Sequence, residues 1–251
     1  MLLLSEHFKE ELEEIKRTLR REIKLKAAEF DELVELNFGE LENNACPLIV
    51  LAVSQTFGGA ARSAIGLATI FQYIFMADQV HRLMKDDPDL EESKRQFPVL
   101  VGDFLYGKFF LSLCKEKMLH FLAPLAKVIE NMNQGAIIRW LSRDKKVSDG
   151  EYIRTIEMER ASLTGLAARL GAELAGCPLK VQEQCETIGW NLGIAWAASQ
   201  ERRSGGMVDF ALTEARSILR ELPDHRNHSL NQLIDYIESN VEVKTLELNY
   251  R

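Results

Sequence analysis

Several kinds of residue that announce a special chemistry or setting are scarce in this 251-residue chain. Its four cysteines, Cys46, Cys114, Cys177 and Cys185, have neither the C-x-x-C spacing of a zinc site nor the density of a disulfide scaffold. Reduced structural thiols in a cytoplasmic setting are therefore expected. An excess of positive charge is also missing, with 31 Lys and Arg against 38 Asp and Glu and a formal net charge of -7. That balance excludes the broad cationic face on which nucleic-acid binding rests. Long apolar runs are absent too. The longest, 64–77, contains Gln72 and falls short of the roughly 18 residues a membrane-spanning helix needs. The apolar Met1-Leu2-Leu3-Leu4 gives way at once to Glu6 and Lys9, so no signal-peptide core follows and no transmembrane segment is expected. No Ser/His/Asp arrangement, P-loop or dinucleotide fingerprint occurs.

What the chain does have is helical periodicity. Phe8, Leu12, Ile15, Leu19 and Ile23 recur at steps of three and four among charged residues, the period of an amphipathic helix. The same pattern predicts helices at about 46–57, 61–84, 96–117, 118–143, 149–175, 179–202, 206–222 and 227–242. Turn signals fall between them, at Gly58-Gly59, Asp87-Pro88, Gly176-Cys177-Pro178, Gly205-Gly206 and Pro223. Ser148 and Glu151 have the spacing of a capping box. Nothing alternates long enough to suggest a strand. An all-α, single-domain bundle of about ten helices over 1–251 is expected. The segments 61–84 and 96–117 are apolar nearly all round, which places them inside the bundle or in an interface.

Several segments, in order, resemble the trans-isoprenyl diphosphate synthases. Val99-Leu100-Val101-Gly102-Asp103-Phe104-Leu105 is similar to that family's "LAGD(F/Y)L". Ala161-Ser162-Leu163 with 170–176 resembles its "KTAxL…LGAxLAG", and 191–196 its "xLGIAFQ". Pro47-Leu48-Ile49-Val50-Leu51 looks like the continuation of "GKRLRP". The resemblance covers roughly 40–245 and implies the isoprenoid-synthase fold. Read without it, Gly102 eases helix packing and Asp103 caps or pairs.

The family adds isopentenyl diphosphate to an allylic cation, with Mg²⁺ held by two Asp-rich motifs. In DDxxD the first, second and fifth residues share one helix face, where carboxylates can share metal ions. Here the first motif falls on Arg82, Leu83, Met84, Lys85 and Asp86, where only Asp86 matches. The second falls on Gln200, Glu201, Arg202, Arg203 and Ser204, which leaves a lone Glu201. Arginines at these positions oppose metal binding by Coulomb repulsion. The "GKRLR" cations read Glu42-Asn43-Asn44-Ala45-Cys46, and a Lys-Thr pair reads Glu159-Arg160. Asp86-Asp87-Pro88-Asp89 reads as a solvated acidic loop, since Pro88 breaks the helix that would align it.

A frame kept without its polar chemistry resembles the small, non-catalytic component of two-component heptaprenyl- or hexaprenyl-type synthases, especially over 95–104. The resemblance implies no catalytic residue and no metal or cofactor bound by this chain, with Mg²⁺ on a catalytic partner bearing DDxxD motifs. The assembly of the isolated chain is left open between a monomer and a homodimer through the surface meant for the partner. Phe104, Leu105, Phe109 and Phe110 form an apolar stripe that suits either that interface or the core. Ala77, five residues before Arg82, stands where the family sets product length by side-chain bulk. The alternative is a degenerate homodimeric member that binds isoprenoids or acts as a scaffold. A third reading is an active homodimer with Asp86, Asp87 and Glu201 as unconventional ligands.

Overall fold

The computed structural model describes residues 4–23, 39–84, 91–143, 145–200, 206–222 and 228–249. Asp86, Glu201 and Ser204, with the rest of 85–90 and 201–205, lie outside the described residues. The helices in chain order are α1 (Leu4–His7), α2 (Lys9–Ile23), α3 (Glu40–Thr56), α4 (Ala61–His81) and α5 (Glu92–Lys115). A 3₁₀ turn, Leu119–Phe121, leads into α6 (Leu122–Leu141). Then come α7 (Asp149–Ile156), a π turn (Glu157–Ala161), α8 (Ser162–Leu174), α9 (Leu179–Ser199), α10 (Met207–Glu221) and α11 (His228–Asn249). No strand occurs among the described residues, so the all-helical expectation holds.

The predicted boundaries hold to within a few residues except at three places, one of them the end of α11, which runs to Asn249 rather than to 242. Helix α3 starts at Glu40 and carries Pro47 inside it, at the cost of one backbone bond. The segment expected as one helix over 149–175 is interrupted by the π turn, which turns both Glu159 and Arg160 inward. Ser148 caps α7 as its spacing predicts: Glu151 N–H donates to Ser148 Oγ at 3.3 Å, and Ser148 N–H donates to Glu151 Oε2 at 3.1 Å. At Gly176, φ is +77°, the left-handed conformation that ends α8 with little strain only for glycine.

Helix α4 is buried nearly all round, from Gly66 through Asp78, and forms the centre of the bundle. It packs against α2, α3 and α5, while α9 packs against α8 and α10. Helix α5 behaves differently. Its inner line of Val101, Leu105, Phe109 and Leu113 joins the core at steps of four, whereas Leu100, Phe110 and Leu111 on its other side are 64%, 48% and 53% exposed. By length and composition alone Arg95–Lys115 is apolar enough to cross a membrane, with an 18-residue window of mean hydropathy 1.4, 39% of which is buried in the bundle.

Candidate functional site

Three elements, the end of α4, the π turn and α6, meet where the sequence aligns the first metal-binding motif. Arg82 follows the last turn of α4, and its Nε donates to Asp78 Oδ2, one turn back, at 2.9 Å. Its Nη2 lies 3.2 Å from Glu159 Oε2 in the π turn. From α6, Arg139 reaches the same carboxylate with Nε 3.2 Å from Oε1 and Nη2 2.9 Å from Oε2. Asp78 and Glu159 are only 5% and 3% exposed. Burial alone would lower the Arg82 pKa, but Asp78 and Glu159 outweigh it and hold the guanidinium above its ordinary range.

Arg160 enters this cluster from the same π turn. It is 5% exposed, and its guanidinium lies 4.7 Å from the Phe75 ring centre and 4.3 Å from that of Trp196. Cation–π attraction thus substitutes for part of its hydration. Burial pushes Arg160 below the usual guanidinium range, with Asp78 pulling the other way. Beneath it, burial pushes the Cys46 thiol up to about 12 despite the nearby arginine.

Among the described residues, the carboxylates of this cluster do not fit Mg²⁺. The ion needs several oxygen ligands converging without competing cations, and both buried carboxylates here are gripped by guanidiniums. Among the described residues no group of three or more His, Cys, Asp or Glu converges.

The other aligned positions are engaged within the chain. Gln200, at the end of α9, donates to Glu42 Oε1 at 2.7 Å and ties α9 to α3. Glu42 lies next to Asn43 and Asn44, which stand where the resemblance places cations. Leu83 is at the surface, and Ala77 is fully buried in α4. Of the apolar stripe, Leu105 and Phe109 are core residues. Phe104 is half-buried with Lys108 Nζ 5.2 Å from its ring centre, and Phe110 faces outward. His81 sits against Gly102, where a Cβ would meet His81 Nε2 at 2.1 Å, and lies 3.4 Å from Asp103 Oδ1. Those two residues therefore serve packing and pairing. Gly193 likewise lets α9 approach α8: a Cβ there would fall 2.1 Å from Thr164 Oγ1 and 2.7 Å from Ala161 Cα.

Asp78 and Arg139 are the members that sequence reasoning passed over. The Asp78–Arg82 pair has i, i+4 spacing and was readable from that alone. The Arg139–Glu159 pair spans twenty residues and two helical segments, with no local pattern to reveal it.

The all-helical arrangement is the isoprenyl synthase fold of solved structures. A polyprenyl synthase from Caulobacter crescentus, complexed with calcium and isoprenyl diphosphate, superposes with a TM-score of 0.76 at 18% identity, covering 93% of this chain and 97% of that one. A deletion mutant of the heterotetrameric geranyl pyrophosphate synthase of mint superposes with a TM-score of 0.75 at 17% identity, covering 91% and 98%. In sequence, residues 92–199 match the polyprenyl synthetase family model. The octaprenyl diphosphate synthase of Escherichia coli is 23% identical over 159 residues, 60% of this chain and 49% of that protein. The chain thus spans about half the length of the curated relatives it matches. Family model, relatives and structural neighbours thus agree that the chain is similar to the polyprenyl synthetases.

Proposed function

We propose that this chain is the non-catalytic component of a two-component long-chain trans-prenyl diphosphate synthase of the cytoplasm, one that makes side chains for quinones such as menaquinone. The observation that carries the reading is Arg82. Where family enzymes hold a metal-binding aspartate, a guanidinium is ion-paired to two buried carboxylates, Asp78 and Glu159. A magnesium ion there would have to displace a charge of its own sign and leave both carboxylates to be shared.

The chain's contribution is then to packing. The outer face of α5, with Leu100, Phe110 and Leu111, supplies apolar surface for a partner subunit that carries the DDxxD motifs and the Mg²⁺. A heterotetrameric synthase of the same fold, that of mint, gives precedent for mixed assemblies.

The test is an assay of this chain alone, the partner alone and the mixture, with isopentenyl diphosphate, an allylic diphosphate and Mg²⁺. The expected result is no product from this chain and a large gain on mixing. Product from this chain alone, or unchanged partner activity on mixing, refutes the reading.

A further inference from the structure

The ion cluster has the composition of an anion site with its anion already in place. Arg82 and Arg139, from different helices, close on the Glu159 carboxylate at 3.2 and 2.9 Å. A third guanidinium, Arg160, is nine-tenths buried within electrostatic reach of Arg82, Asp78 and Glu159, and its Nη1 has no hydrogen-bond partner. Guanidinium forks match carboxylate and phosphate oxygens alike. A carboxylate, however, has only two oxygens, and Glu159 gives both to Arg139, with Oε2 shared with Arg82. A tetrahedral oxyanion has oxygens left over for the third cation.

We propose that Arg82, Arg139 and Arg160 form a site for a small tetrahedral oxyanion, and that Glu159 fills it as an internal ligand which keeps free anions out. With Asp78 included, three guanidiniums face two carboxylates, so withdrawal of Glu159 leaves a strongly cationic hollow at low dielectric. There the attraction for an anion is far larger than in water. The inference rests on the cluster's geometry and holds whatever assembly the chain enters.

The experiment measures inorganic phosphate binding to the full chain, by calorimetry and by the phosphate dependence of the melting temperature. Wild type, Glu159→Ala, Glu159→Ala with Arg139→Ala, and Glu183→Ala are compared. The last removes the same charge from an exposed position on α9. Glu159→Ala is expected to bind phosphate at least about tenfold more tightly than wild type, and its lowered melting temperature to rise with phosphate as linkage requires. Adding Arg139→Ala should abolish the gain, and Glu183→Ala should show none. Should Glu159→Ala fail to fold at every phosphate concentration, Glu159→Ser carries the same comparison, because it removes the charge, empties the space and leaves a hydroxyl to hydrogen-bond the arginines. The proposal is overturned by phosphate binding no tighter in the Glu159 variant than in wild type, or by an equal gain in Glu183→Ala.

Discussion

Replacing Arg82 by Met tests whether the cluster holds this end of the bundle together. Methionine keeps the length and helix propensity of the side chain but removes the 2.9 Å bond to Asp78 and the 3.2 Å contact with Glu159. Glu159 keeps Arg139, whereas Asp78, 5% exposed, keeps the side-chain hydrogen bond from Gln79 at 2.9 Å. Removing one partner of a buried ion pair costs about 3–5 kcal/mol, because a charge is left without compensation. For a chain of this size each kcal/mol lowers the melting temperature by about 2–4 °C, so a drop of roughly 10 °C is expected. The Asp78→Leu/Arg82→Met double variant removes both charges and should lose much less than the sum of the single losses, with about 2 kcal/mol of coupling in a double-mutant cycle. Urea unfolding of the four proteins measures each term. A single-variant loss below about 1 kcal/mol, or strictly additive losses, would refute the reasoning.

Three further outcomes follow from geometry on other elements. Gly193→Ala drives a methyl group into Thr164 and into the Ala161 backbone, and should cost about 3 kcal/mol in chemical unfolding, the upper end for overpacking. Alkylation of the native chain at mildly alkaline pH should label exposed Cys114 first, while Cys46 and Cys185, both pushed up to about 12 by burial, react only after denaturation. Mass spectrometry of the digest reads this directly, and equal labelling of Cys46 and Cys114 would contradict it. At Glu22, burial raises the pKa, but the hydrogen bond and charge of Lys115 with the Tyr73 hydroxyl outweigh it, leaving the carboxyl below its ordinary 4.5. A depressed folded value means stability that is present above 4.5 and lost as pH falls through the folded value. Thermal melts should therefore show the wild-type advantage over Glu22→Gln shrinking below that pH.

Much of this was legible in the sequence, for reasons that differ by feature. Periodicity located α4 to α11 because a bundle helix must repeat its apolar face every three or four residues. The capping box at Ser148 and Glu151 was visible because its chemistry is local. Arg82 and Gln200 were visible at the positions that the resemblance aligns with Asp-rich motifs. The long-range partners that engage them, Glu159 and Glu42, were not. Arg139 meets Glu159 only through tertiary structure, and the two faces of α5 separate only when the bundle claims Leu105 and Phe109 and leaves Phe110 outside. Helix α3 began earlier than expected because Pro47 is accommodated within it rather than near its start.

The π turn at Glu157–Ala161 acts as a phase shifter in a long rod. A π turn holds about one residue more than the α-helical turn it replaces, so everything downstream is rotated by roughly 100° relative to an unbroken helix. Upstream, α7 is set against α6; downstream, α8 packs so closely on α9 that a Cβ at Gly165 would lie 3.2 Å from the Glu186 carbonyl oxygen and 3.5 Å from Trp190. Deleting one residue from the turn would restore a regular helix and swing one of these two faces away from its neighbour. The extra residue is therefore a timing element, and it sits where Glu159 and Arg160 must both look inward.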